Sequence, residues 1–262
     1  MKMYTPCIVR LRAVTLRIAV CARRLSRRTA KIVRMFPDFF PRRCMLCREA
    51  FDAGREAVCP DCFRRIEEQI RAMPVVCPSC LRPRTLFADG ICPDCQGNAS
   101  ELIAAHSLAQ YAEPLSQLIH ALKYGGVPLL ASDLGELLAL GSQGLAGEYL
   151  VTWVPLSFRR WLRRGYNQAE LLARAYARHT GRETAALLFK TRHNRKQATL
   201  HSRERRENAR GVYGLLSPDA ARGKRVLLVD DVLTTGATSL ACAEALLAGE
   251  AKEVCILTLC CG

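Results

Sequence analysis

Acidic residues are missing from residues 1–34 of this chain, aromatic residues make up only 6% of the whole, and apolar runs are short. Each lack excludes something. A membrane-spanning helix needs roughly 18 or more uninterrupted apolar residues, and arginine breaks every candidate stretch here. The first segment has neither an unbroken apolar core nor a clean small-residue cleavage site, so it does not read as a secretory signal. Few aromatics also argue against a surface built throughout for stacking on unpaired bases.

The positive charge is placed unevenly. Residues 1–34 hold ten Lys or Arg of a chain whose net charge is +15, which leaves +5 for the remainder. Residues 1–35 therefore read as a basic leader that admits two accounts. One is an over-called or disordered start, with the body beginning near Met35 and its FPDFFPRRC continuation. The other is an amphipathic or nucleic-acid-binding arm.

Fourteen cysteines in 262 residues suggest disulfides until their spacing is read. Eight fall as four C-x-x-C pairs: Cys44, Cys47, Cys59 and Cys62, then Cys77, Cys80, Cys92 and Cys95, with the same internal spacing twice. A C-x-x-C turn places two thiolates at one tip, and two tips supply the four soft ligands of a tetrahedral zinc. Two structural zinc ribbons over residues 36–98, in a reducing cytoplasmic compartment, are the expectation. Pairing within each repeat is favoured by the short connection, and sharing of ligands across the repeats stays open. Four cysteines per ion leave no position for water, which makes the zinc structural and not catalytic.

From residue 99 onward the pattern alternates strand and helix, the signature of an α/β domain with a parallel sheet flanked by helices, running to residue 262. Strands are predicted at Ile103–Tyr111, Tyr149–Pro155, Arg225–Asp230 and Glu253–Leu259. Helices are predicted at Pro114–Lys123, Ser132–Leu140, Asn167–Thr180 and Ala237–Ala248. The basic stretch from Lys190 to Tyr213 reads as a long surface loop, and loops of that length are usually functional or disordered.

The chemistry concentrates where a strand, Val226 to Val229, ends in Asp230 and Asp231 and opens through Val232, Leu233, Thr234, Thr235, Gly236 and Ala237 to Thr238. A helix start offers unpaired N–H groups and a positive dipole end, so the Thr234–Thr238 turn suits a phosphate. Two carboxylates at the carboxyl edge of a parallel strand suit vicinal sugar hydroxyls, which donate hydrogen bonds to them. A capped helix alone calls for one polar residue, not for two carboxylates and three threonines. A second loop, Val154-Pro155-Leu156-Ser157, is followed by Arg159, Arg160, Arg163 and Arg164, donors of the kind a polyanion needs. Trp153, Phe158, Trp161 and Tyr166 lie among these arginines, where core packing is the commoner role and a stacking platform the rarer one. His106, His120, His179, His193 and His201 have no paired spacing. Cys242, Cys255, Cys260 and Cys261 read as small buried hydrophobes.

The Val226–Thr238 run resembles the ribose-phosphate loop of type I phosphoribosyltransferases. Together with the four C-x-x-C pairs, Leu122-Lys123-Tyr124-Gly125, Arg164-Gly165-Tyr166-Asn167-Gln168, Gln197 and the stretch from Arg205 to Asn208, it makes the chain from about Phe36 to Cys260 similar to the ComF family. These are cytosolic double-zinc-ribbon, phosphoribosyltransferase-like proteins associated with DNA uptake in natural transformation. The resemblance implies Asp230 and Asp231 on the ribose hydroxyls, Val232 to Thr238 around the 5-phosphate, and Leu156, Ser157 and Arg164 near a pyrophosphate that brings magnesium with it. It implies a mobile flap at Lys190–Tyr213. The implied partners are phosphoribosyl pyrophosphate or a similar ribose phosphate, single-stranded DNA, and helicase or channel proteins of DNA uptake. Nothing between Ile103 and Gly125 specifies an acceptor base, so the ligand is argued more firmly than a reaction.

Overall fold

A computed structural model of the chain describes residues 42–52, 55–71, 103–191 and 212–262. The basic leader and the second group of cysteines, Cys77, Cys80, Cys92 and Cys95, lie outside the described residues. The chain divides into two units, one including residues 42–44 and 49–52, the other residues 45–48 and 55 onward.

In the first unit, β1 (Arg42–Arg43) and β2 (Ala50–Phe51) pair antiparallel, and the Cys44 amide donates to the Glu49 carbonyl at 2.9 Å. The second unit begins with α1 (Pro60–Arg71), amphipathic, burying Cys62, Phe63 and Ile66 on one face. Its proline at the first helical position gives up an amide that would have no partner there.

The large unit is built on four parallel strands: β3 (Ile103–Gln110), β4 (Leu150–Trp153), β7 (Arg225–Leu233) and β8 (Glu253–Cys261), in the order β3-β8-β7-β4. The inner strands β7 and β8 carry the runs Val226–Val229 and Val254–Cys261, almost wholly buried, as strands covered on both faces must be. Around the sheet run α2 (Leu115–Tyr124), α3 (Leu130–Gly141), α4 (Phe158–Arg164), α5 (Gln168–Thr180) and α7 (Ala237–Ala248). Helices α3 and α5 pack closely on one another because Gly135 has no side chain: a Cβ there would lie 2.3 Å from that of Ala175.

Two short antiparallel strands, β5 (Leu188–Lys190) and β6 (Tyr213–Leu215), pair at the root of the long basic stretch. Both ends of that stretch are strand, and residues 192–211 lie outside the described residues. A four-residue helix, α6 (Pro218–Ala221), leads into β7.

The predicted elements differ from these at their edges. The largest shift is in β7, which continues past Asp230 to Leu233, because Asp230, Val232 and Leu233 still pair with Thr258, Cys260 and Cys261 of β8. Its hydrogen-bonded partner, and not its own composition, sets its end. The helices α1, α4 and α6 and the short strands β1, β2, β5 and β6 lie outside the predicted elements. No described helix is long and apolar enough to cross a membrane.

Candidate functional site

The carboxyl edge of the sheet opens into a cleft of about 200 Å³, bordered by Asp230 to Ser239 on one side and by Val154 to Ser157 on the other. Gly236, at φ 70°, turns the chain from β7 into α7 in a left-handed conformation that costs other residues about 1–2 kcal/mol. Thr234, Thr235 and Thr238 stay exposed around that turn. The unpaired amides at the start of α7 share the same border.

The acidic pair divides along the pleat. Asp230 is half-buried, and its Oδ1 accepts the Asp231 amide at 2.9 Å. Asp231 is 4% exposed, accepts from the Lys123 ammonium at 2.8 Å through Oδ1, and leaves Oδ2 buried with no hydrogen-bond partner among the described residues. Both border the cleft. The two acids differ in exposure because strand alternation turns successive side chains apart. Burial first, and the neighbouring Asp231 charge second, push the Asp230 carboxyl up to about 8, while the amide it accepts and the Lys123 charge act the other way.

The opposite wall is held by the string Arg164-Gly165-Tyr166-Asn167-Gln168. Gly165, at φ 80°, ends α4. The Tyr166 hydroxyl donates to the Leu122 carbonyl at 2.6 Å, tying this corner to the last turn of α2. Asn167 caps α5 by accepting from the Ala169 amide at 3.1 Å, and its own amide donates to the Val154 carbonyl at 3.0 Å. Arg164 donates to the Gln168 side-chain carbonyl, and its guanidinium lies 5.2 Å from the centre of the Tyr124 ring. Leu156 and Ser157, half-buried, border the cleft together with Val154, Arg164 and Gln168.

Sequence reasoning named Arg160 among the donors after the second loop but missed Lys123 and Lys190 as cations of the cleft. Lys123, Arg160 and Lys190 border the cleft from α2, α4 and β5, beside Arg164. Lys190 donates to the Tyr213 hydroxyl at 3.2 Å across the β5–β6 pair. Burial and then the Arg160 charge hold the Lys190 ammonium below its ordinary range. Burial raises the Tyr213 phenol. The signal available for Lys123 was its place in the Leu122–Gly125 string, and for Lys190 its place at the start of the basic stretch.

Of the four aromatics among the arginines, Trp153 is buried and Tyr166 is a half-buried tether. Phe158 is exposed and stacks on the half-buried Trp161 with ring centres 6.2 Å apart. Cys242, Cys255, Cys260 and Cys261 are buried as expected, and burial raises all four thiols. His106 meets the Gly141 carbonyl and His120 packs on Tyr124. His193 and His201 lie outside the described residues.

A separate centre lies at the cysteines of the first repeat. The Sγ atoms of Cys44, Cys47, Cys59 and Cys62 all lie within 4.8 Å of one another. Cys47 and Cys59 are 3.7 Å apart, close to the edge of about 3.8 Å that a tetrahedron of 2.3 Å Zn–S bonds has. The donor set and spacing fit a structural zinc. The loop before Cys59 is gripped by α3: Asp133 accepts the amides of Glu56, Ala57 and Val58 at 3.0, 2.8 and 2.9 Å.

Residues 166–262 match the family model described as phosphoribosyl transferase domain. With the parallel sheet and its cleft, this defines the class of the large unit. Over 228 residues the chain is 34% identical to the DNA utilization protein YhgH of Escherichia coli O157:H7, covering 84% of this chain and 97% of that one. It is 30% identical to competence protein F of Haemophilus influenzae over 77% of this chain and 89% of that one, and 26% identical to competence protein ComFC of Bacillus subtilis over 82% and 93%. The chain belongs to the ComF family. Among solved structures it resembles the allosteric regulatory enzyme of purine biosynthesis, with a TM-score of 0.35 and 26% identity over 49% of this chain and 25% of that one.

Proposed function

We infer that the cleft binds phosphoribosyl pyrophosphate or a closely related ribose 5-phosphate, and that the protein serves cytosolic handling of DNA taken up in transformation. One observation carries the ligand: the acidic pair, the Thr234–Thr238 turn and the Leu156–Ser157 wall with Arg164 border a single cleft. In this reading the acidic pair meets the ribose side, the turn at the start of α7 wraps the 5-phosphate, and Leu156, Ser157 and Arg164 meet the pyrophosphate with its magnesium. The link to DNA is supported by the names of the relatives, a DNA utilization protein and two competence proteins.

A second reading makes the protein an active magnesium-dependent phosphoribosyltransferase with an unidentified acceptor. Lys190 and Tyr213 favour it: they pair across β5 and β6 at the cleft, on either side of the stretch that the family resemblance reads as a flap. A closing flap excludes water from the sugar cation formed as pyrophosphate departs.

Calorimetry with phosphoribosyl pyrophosphate and magnesium, on wild type and on Asp230→Asn/Asp231→Asn, tests the ligand; equal binding by both proteins refutes it. Pyrophosphate release in the presence of candidate bases and single strands then separates an enzyme from a binding protein. For DNA, affinity for single strands that falls steeply with salt supports phosphate contacts.

A further inference from the structure

We propose that the two acids of the pair do different work: Asp231 is the buried anchor of Lys123, and the Lys123 ammonium is a ligand-binding group that takes the pyrophosphate end of the ligand together with Arg164. The inference rests on the phosphoribosyl reading of the cleft and revises it in one respect: Asp230 stays on the ribose side, while Asp231 moves to the support of the anionic end.

The geometry is unequal in the way this requires. Side-chain exposure is 21% for Lys123 and 5% for Asp231, so the ammonium and not the carboxylate is the more open member of the pair. Asp231 Oδ1 takes one of the three ammonium donors. Oδ2 has no other hydrogen-bond partner among the described residues, so this carboxylate is left to serve Lys123. Asp230, half-buried beside it, is the member that remains open toward a sugar.

Arg164 repeats the device. A cleft-side cation is aimed by a buried acceptor, here Gln168, which is 8% exposed. The two cations are also fastened to each other's elements. Tyr166, two residues after Arg164, holds the Leu122 carbonyl next to Lys123, and Tyr124 on the other side of Lys123 lies under the Arg164 guanidinium. Lys123 and Arg164 thus form one wall whose donors are fixed before any ligand arrives, and such preorganised, charge-assisted donors suit a polyanion better than a neutral sugar. The other charged or titratable groups around this acidic pair are Arg160 of α4, Lys190 of β5, Tyr213 of β6, Cys242 of α7 and Cys260 of β8. Among the described residues, Lys123 is the cation that Asp231 holds.

The test compares three ligands by calorimetry at fixed magnesium: inorganic pyrophosphate, ribose 5-phosphate and phosphoribosyl pyrophosphate. Lys123→Met and Asp231→Asn should each weaken inorganic pyrophosphate and phosphoribosyl pyrophosphate by about tenfold or more, the scale of one hydrogen bond to a charged group. Both should leave ribose 5-phosphate within about twofold, and the double variant should be no worse than either single one, as expected for residues acting as a unit. Lys123→Arg should recover most of the loss. Asp230→Asn should do the reverse, weakening the two sugar phosphates and sparing inorganic pyrophosphate.

Unchanged pyrophosphate binding in Lys123→Met, or equal losses on ribose 5-phosphate, overturns the assignment, as does Asp231→Asn behaving like Asp230→Asn. Should Asp231→Asn fail to fold, the two Lys123 variants decide. Wild type that binds pyrophosphate through Lys123 but neither sugar phosphate overturns the phosphoribosyl reading and leaves the anion contact standing; wild type that binds none of the three overturns both.

Discussion

The Asn167 side chain donates from its amide to the Val154 carbonyl at 3.0 Å, joining the start of α5 to the loop that leaves β4. The same side chain caps α5 through its oxygen, so a single residue sets both the helix start and the path of Pro155–Ser157. Asn167→Ala should cost about 1 kcal/mol for the cap and about 1–3 kcal/mol more for the buried carbonyl left without its donor. In urea the midpoint should fall at unchanged slope. An unchanged midpoint would show that the loop holds its course without this tie.

Asp133 is the corresponding tie for the cysteine loop. Its carboxylate accepts three consecutive amides, and Glu136 one turn on forms two hydrogen bonds with Arg55, at 2.6 and 2.9 Å. Asp133→Ala should destabilise the protein by about 3 kcal/mol and speed the release of zinc to a chromogenic chelator, with every cysteine retained. Release at the wild-type rate would disconnect α3 from the metal centre.

Elemental analysis of purified protein is expected to find two zinc ions per chain. Cys59→Ser should bring this to one, with a loss of folded protein, since structural zinc contributes folding free energy directly. One ion in the wild type would mean that Cys77, Cys80, Cys92 and Cys95 hold none.

The pH dependence follows from Asp230. Its folded-state affinity for a proton is raised, to about 8, so the fold favours the protonated form. Stability from this group is present below the ordinary carboxylate range and is lost as pH rises through about 8. Sugar binding should run the opposite way, because a ribose hydroxyl donates to the carboxylate and not to the acid. Affinity for ribose 5-phosphate should therefore rise with pH up to and through that range, and Asp230→Asn should flatten both trends. A wild-type affinity that falls as pH rises would contradict the assignment.

Gly236 tests the turn. Its φ of 70° makes Gly236→Ala cost about 1–2 kcal/mol, and phosphate affinity should drop with it as the amides at the start of α7 shift. Loss of stability with phosphate affinity intact would separate the turn from the anion.

The residues from Val226 to Thr238 were legible because strand, acids, turn and helix start follow one another without interruption, so local periodicity and turn chemistry suffice to place them. The same holds for the first cysteine repeat, whose spacing anticipates the gathered thiols. The pairing of Lys123 with Asp231 and the grip of Asp133 on the 56–58 amides were not legible. Each joins segments far apart in the chain, and no composition or period encodes which lysine or which aspartate arrives. The end of β7 was misjudged for a related reason: its last three residues are strand because β8 lies beside them.

By itself, then, the order of residues determined the cysteine spacing, the alternation of strands with helices, and the threonine-glycine turn, all of which depend on neighbours within a few positions. Only the tertiary structure decided that Asp231 faces inward onto a lysine, that four cations from three elements surround the cleft, and that the cysteine loop hangs on α3. Those outcomes are set by which distant surfaces bury one another, and burial is a property of the assembled fold.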